Sequence, residues 1–267
     1  MANLTGKTAL VTGSVQGIGF GIAAALASAG CRMILHGLPD DPKASAACDK
    51  MLAAGAPEAT FIGADLSDPS EIDALMSKAF DYGGVDILVN NAGIQHPAAI
   101  ADVPRDVWNA IIAVNLSACF HAMQTALPQM AERGYGRVIN IASVQGLIGS
   151  INKAPYVAAK HGLVGLSKVA ALEYATAGTK LQGGVTVNCI CPGWTETELI
   201  QPQIDTRQQQ IGGSRDEAIA DLLKEKQPTR RTSDPSEMGA LALWLCDPIA
   251  HNVTGTQIPI DGAWTAQ

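Results

Sequence analysis

Short apolar runs and Ala/Leu-rich stretches take turns along the whole chain, and that alternation constrains the fold most tightly. Residues 8–12, 33–36, 60–63, 86–89, 137–141, 185–190 and 257–260 read as seven strands. They are almost continuously apolar, as strands covered on both faces must be. Between them, 17–29 reads as a helix closed by Gly30. Residues 104–132 read as a long helix with Pro104 near its start and Gly134 beyond its end, and 155–177 as another ended by Gly178. Asp68 and Pro69 open a further helix as N-cap and first helical residue. The order predicts an α/β fold: a doubly wound, seven-stranded parallel sheet, Rossmann-like, with helices on both faces and right-handed crossovers. No repeat or Pro/Gly/Ser-rich linker divides the chain, so residues 1–267 are expected to form a single domain.

One segment departs from this pattern. Residues 195–232 are polar, with Gln208-Gln209-Gln210, Gly212-Gly213 and sparse apolar positions at helical spacing. They read as one or two amphipathic helices outside the sheet layers, either a surface excursion or a lid over a site at the strand ends. Composition narrows the partners. The net charge is −7, from 18 Lys+Arg against 25 Asp+Glu, which argues against a nucleic acid or an anionic membrane surface. No apolar run is expected to span a bilayer, and the start has neither a charged nor an apolar leader segment. The six cysteines are scattered and lack a second pair at zinc-finger spacing, so no metal is expected. Reduced core thiols fit a cytoplasmic location.

Chemistry concentrates at three places. Thr12-Gly13-Ser14-Val15-Gln16-Gly17-Ile18-Gly19 lies between the first strand and the first helix, where glycines let backbone approach a pyrophosphate and the helix start offers free N–H groups. Its spacing is G-x-x-x-G-x-G rather than the G-x-G-x-x-G dinucleotide pattern. Tyr156 and Lys160 are four apart on a predicted helix and share one face. A free tyrosine, with a pKa of about 10, is a poor base near neutrality, and a nearby ammonium favours the phenolate. Such a pair suits proton exchange with an alcohol or ketone. Ser143 ends the fifth strand, at the carboxyl edge where ligands gather, and its hydroxyl can donate to a substrate oxygen. Taken singly, the pair reads as a surface i,i+4 contact and the serine as a strand-end cap.

Together with Asn90-Asn91-Ala92-Gly93, Asn115 and Pro192-Gly193, these segments resemble the short-chain dehydrogenase/reductase family over essentially the whole chain. The resemblance implies catalytic roles for Ser143, Tyr156 and Lys160, with Asn115 holding a water in a proton path toward the lysine. It implies a nicotinamide cofactor held by Gly13, Gln16, Gly17, Ile18, Gly19, Asp65, Leu66, Asn91, Ala92, Gly93, Tyr156, Lys160, Pro192, Gly193 and Thr197. It also implies a homotetramer assembled through the helices at 104–132 and 155–177 and through the chain's end. An acid at the end of the second strand commonly holds the NAD ribose diol, and a base accommodates the NADP phosphate. Here the strand runs out as His36-Gly37-Leu38-Pro39-Asp40, with no cation before Lys43 and no acid directly at its end. The missing base favours NAD.

Longer strings resemble one branch of the family, the bacterial D-3-hydroxybutyrate dehydrogenases. They include Asn90 to His96, Asn152 to Gly162, Ile190 to Trp194, Glu225 to Pro228 and Trp264-Thr265-Ala266. The branch implies a small anionic hydroxy-acid or keto-acid substrate. Gln95, Lys153 and Gln203 then hold its carboxylate, Trp194 and Trp264 form apolar walls, and Ser143 and Tyr156 meet its hydroxyl. The branch carries histidine two residues after the serine; Gln145 stands there in this chain and cannot become cationic. Weaker affinity or a different acid is the expectation. Other readings are a dehydrogenase of another small hydroxy acid or polyol, a 3-oxoacyl thioester reductase, or a non-catalytic NAD-binding sensor.

Overall fold

The computed structural model describes residues 2–198 and 200–266. Seven strands form one sheet: β1 (Thr8–Val11), β2 (Arg32–Gly37), β3 (Ala59–Gly63), β4 (Ile87–Asn90), β5 (Tyr135–Ile141), β6 (Gly184–Pro192) and β7 (Gln257–Ile260). Their order is β3-β2-β1-β4-β5-β6-β7, and every pairing is parallel. The helices are α1 (Gly17–Ser28), α2 (Ala44–Ala54), α3 (Pro69–Asp81), α4 (Arg105–Ile112), α5 (Ala118–Arg133), α6 (Ala154–Glu173), α7 (Gln201–Ile211), α8 (Arg215–Leu223) and α9 (Pro235–Cys246).

The apolar runs have the cause expected of them. Along β1, Ala9 and Val11 enter one core with Leu26 of α1 and Leu245 of α9. Leu10 between them enters the other, with Leu75 of α3 and Met130 of α5. The central strands β1 and β4 feed both layers and are buried at every position, whereas the edge strands β3 and β7 are only partly covered. The chain order reverses between β1 and β4. Loops leaving those strands diverge to opposite sides, which opens a crevice at the carboxyl edge.

Two helix boundaries and one apolar length differ from the sequence reading. The helix at 104–132 is two helices joined by a π turn over Ala113–Ser117. The helix at 155–177 stops at Glu173, ahead of the left-handed Gly178. The stretch Arg105–Arg133 is, by length and composition, long and apolar enough to cross a membrane, where no such run was expected. A helix laid on a sheet passes the same test, and Ala122, Met123, Ala126 and Leu127 of this one are buried in the core. The excursion at 195–232 contains α7 and α8. Ile200, Ile204, Ile219 and Leu223 pack together there, with Trp194 against them. Leu199 lies outside the described residues.

Candidate active site

The glycine loop is braced from β4. Asn91 Nδ2 donates to the carbonyls of Thr12 and Gly13, each at 2.9 Å. Thr12 Oγ1 accepts from the Asn91 and Ala92 N–H groups at 2.9 and 3.0 Å. The side-chain amide of Asn91 is therefore spent on the loop, and the residue also lines the neighbouring cavity. Gly13 and Gly17 adopt left-handed conformations, φ +61° and +58°, which glycine reaches without strain. A Cβ at Gly19 would overlap the Gly13 carbonyl oxygen and the Asn91 amide. Helix α1 begins at Gly17 with no side-chain cap, leaving its first N–H groups and positive dipole end available to an anion. A loop with glycines at 13, 17 and 19, running into an uncapped helix of 12 residues, fits a dinucleotide pyrophosphate.

Ser143, Tyr156 and Lys160, the residues expected to handle protons, line one cavity. Lys160 is buried, 3% exposed, and its Nζ lies 5.6 Å from the Tyr156 ring centre. That Nζ donates to the Ile141 carbonyl at 2.7 Å, which fixes the ammonium at the end of β5. Ser143 Oγ accepts from the Gln145 N–H at 3.1 Å. With that lone pair engaged, its own proton is free to donate outward. Asn115 sits in the π turn, a feature that often marks functional sites. Its Oδ1 accepts from Ile94 N–H and its Nδ2 donates to the Ile94 carbonyl, both at 2.9 Å. A Cβ on Gly93 would stand 3.4 Å from Asn115 Oδ1 and 3.8 Å from Lys160 Nζ, so both groups border that glycine.

A cavity of about 540 Å³ joins these parts. Ile18, Asn91, Gly93, Pro192, Gly193 and Thr197 line it with Ser143, Tyr156 and Lys160. Gln95, Gln145, Lys153, Trp194, Gln203 and Trp264 complete its far end. The backbone bridge between Ala98 and Lys153 places the two loops side by side, and Lys153 Nζ donates to Gln95 Oε1 at 2.9 Å. Burial, and secondarily the charge of Lys226, depress the Lys153 pKa.

Residues 7–208 match the family described as short chain dehydrogenase. The chain is 49% identical to a D-beta-hydroxybutyrate dehydrogenase of Cupriavidus necator, over 99% of this chain and all of that one. It is 42% identical to a D-beta-hydroxybutyrate dehydrogenase of Rhizobium meliloti, over 98% and 99% of the two chains. A crystal structure of a 3-oxoacyl (acyl-carrier-protein) reductase from Agrobacterium tumefaciens with NADP bound superimposes with TM-score 0.86 and 31% identity. That match covers 97% of this chain and 95% of the other.

The chain belongs to the short-chain dehydrogenase family. It is an oxidoreductase whose structural relatives hold nicotinamide dinucleotides. Not every residue expected in this dehydrogenase's site borders the cavity. Gln16 points its side chain to Lys43, whose ammonium also pairs with Glu198 at 3.0 Å. Asp65 Oδ1 accepts from the N–H and hydroxyl of Ser67, each at 2.8 Å, and Leu66 packs into the core beneath. Gly13, Gly17, Gly19 and Ala92 form the loop and its support rather than the cavity wall. Five of the six cysteines are buried. Burial pushes the Cys119 thiol to about 11 and Cys191 to about 12, so both stay protonated near neutrality.

Three contributors were not singled out in the sequence. Lys226 and Thr195 line the cavity. His36 pins the glycine loop to β2: its Nδ1 accepts from the Gly13 N–H at 3.2 Å, while Nε2 lies 3.2 Å from the Ala64 carbonyl. A carbonyl only accepts, so Nε2 carries the proton and the ring is neutral. Burial lowers its pKa from 6.5 to about 4, against the raising effect of the Ala64 bond. The folded value lies below the unfolded one, so this contribution is complete above about pH 6.5. It drains away as pH falls toward 4, by roughly 3 kcal/mol. The melting temperature of the wild type is expected to fall more steeply between pH 6.5 and 4 than that of His36→Asn. Parallel curves would remove His36 as the cause.

Proposed function

We propose that this dehydrogenase uses NAD to interconvert short 3-hydroxy acids and their 3-oxo acids, with (R)-3-hydroxybutyrate and acetoacetate as the reference pair. The observation that carries the reading is the cavity's charge. Lys153, Lys160 and Lys226 all line it, and no described lining residue is acidic. A small anion has little surface to bury, so its binding energy comes from charge-assisted hydrogen bonds of the kind Lys153 offers. The excursion at 195–232, which brings Thr197, Ile200, Gln203 and Lys226 to the cavity wall, serves as the lid. The two D-beta-hydroxybutyrate dehydrogenases among the relatives support the same substrate class.

The choice of NAD rests on Asp41. Its Oδ1 accepts from the Lys43 N–H at 2.9 Å, and its Oδ2 stands 3.2 Å from where a Cβ on Gly37 would lie. The carboxylate folds back over the end of β2, where an acid meets the ribose diol of NAD and repels a phosphate. The nearby Lys43 ammonium is engaged by Glu198.

In this reading the glycine loop and the start of α1 would hold the diphosphate, and Lys160 would reach the nicotinamide ribose. A dinucleotide held there would supply the redox chemistry, as acceptor of the hydride that leaves the alcohol carbon. Ser143 donates its free proton toward the substrate oxygen, and Tyr156 takes the alcohol proton. The Lys160 ammonium offsets the negative charge that the Tyr156 oxygen carries before it takes this proton, and again after it gives the proton back in the reverse reaction. Asn115 supports the path by which the proton leaves.

The test is a rate comparison with NAD and NADP on (R)-3-hydroxybutyrate and on a neutral polyol, using wild type and Lys153→Ala. NAD reduction by the acid is expected. Lys153→Ala should raise KM for the acid about tenfold or more, the worth of one charged hydrogen bond. A neutral alcohol should be unaffected. Equal effects on both substrates, or turnover of the polyol alone, would contradict the proposal.

A further inference from the structure

Four buried side-chain polar atoms among the described residues lack a hydrogen-bond partner: Arg32 Nε, Arg137 Nε, Gln145 Oε1 and Thr195 Oγ1. Arg32 and Arg137 belong to strands and do not border the cavity. The other two residues both line it. Gln145 is 8% exposed and Thr195 4%. They sit just beyond the carboxyl ends of β5 and β6, which are neighbours in the sheet, and Gln145 is two residues from Ser143. No described residue donates to, or accepts from, the Gln145 side-chain amide. A buried polar atom without a partner is costly in an apoprotein and is kept where a ligand completes it.

The chemistry of the missing group follows from the two atoms. Gln145 Oε1 only accepts, so it requires a donor. Thr195 Oγ1 donates one proton and accepts through its lone pairs. A carboxylate offers acceptors alone and cannot satisfy the amide oxygen. A hydroxyl does both at once, donating to Gln145 and accepting from Thr195. The substrate anion has its own partners at Gln95 and Lys153, and the reacting hydroxyl has Ser143 and Tyr156. The unused pair therefore answers to a further hydroxyl next to the reacting carbon.

We infer that Gln145 and Thr195 form a subsite for a second hydroxyl group, vicinal to the one oxidised, so that short dihydroxy acids are better substrates than 3-hydroxybutyrate. The inference rests on the hydroxy-acid reading above and names the substrate class within it. The second hydroxyl is not oxidised; it only positions the chain. A site built to hydrogen-bond a hydroxyl discriminates against the analogue lacking it, because its own polar groups are then left unpaired.

The experiment measures kcat/KM with NAD for (R)-3-hydroxybutyrate, 2,3-dihydroxybutyrate and 3,4-dihydroxybutyrate, in wild type, Gln145→Leu and Thr195→Val. The wild type should favour at least one dihydroxy acid by about tenfold or more, and the ratio should fall toward one in each variant. The two dihydroxy acids distinguish a subsite on the carboxylate side of the reacting carbon from one on the far side. Thr195→Val, close in shape to the native residue, reads the same ratio if Gln145→Leu does not fold. Two results would overturn the subsite. One is a wild type that turns over 3-hydroxybutyrate at least as well as either dihydroxy acid. The other is a preference unchanged in both variants, as when an ordered water fills the place. Failure of all three acids alongside turnover of a neutral polyol would instead sink the hydroxy-acid reading itself.

Discussion

Tyr156→Phe is expected to lower kcat by about 10³-fold, within the range a positioned acid–base group contributes. NADH binding, followed by its fluorescence, should stay within about threefold. The change removes one oxygen and keeps the ring. The Lys160 and Lys153 ammoniums, 5.6 and 5.9 Å from the ring centre, retain the same aromatic surface. Lys160 keeps its bond to the Ile141 carbonyl, so the β5 edge is undisturbed. What disappears is a hydroxyl whose ring has two cations about it. A kcat within tenfold of wild type would show that another group exchanges the alcohol proton.

Gly19→Ala should abolish dinucleotide binding, weakening it by at least about 10²-fold, while the purified chain remains folded. The added carbon would enter space held by the Gly13 carbonyl and the Asn91 amide. Both are partners in the bond that ties the β4 loop to the glycine loop. Relief requires the loop to shift, and a displacement of about 1 Å is enough to spoil aligned N–H contacts with an anion. Calorimetric titration with NAD, set beside a thermal melt, separates loss of the site from loss of the fold. Unchanged affinity would mean that the diphosphate does not rest on this loop.

Much of this architecture is legible in the residues because it obeys local rules. The seven strands announce themselves through double-sided burial, and Asp68 with Pro69 opens α3 with its side chain accepting from the Ser70 N–H. What local rules miss is set at a distance. Nothing near His36 reveals that its ring spans Gly13 and Ala64, 23 and 28 residues away. The acid absent from the end of β2 is restored by Asp41, four residues on, because the loop folds back. The π turn at Ala113–Ser117 contains neither proline nor glycine, so no breaker marks it. Helices α2 and α9 were not singled out either: the first is short, and the second carries Gly239 where it crosses Gly21 of α1. The meeting of Tyr156 and Lys160 was easier to foresee, since it takes only one helical turn. Gln145 and Thr195 show the opposite case, in which the chemistry appears only as atoms left over once every other bond is assigned.

The four isoleucine and leucine side chains gathered between α7 and α8 have a mechanical consequence. They are shared between those two helices rather than with either layer of the sheet. The pair is further cross-linked by the Arg207–Asp221 ion pair. If this segment is the lid proposed above, a hairpin glued from within would swing aside as one stiff paddle, bending at its ends and keeping its interior dry. Admission and release would then cost only the joints at its base, and the machinery on β5 and α6 need not loosen to let a molecule pass.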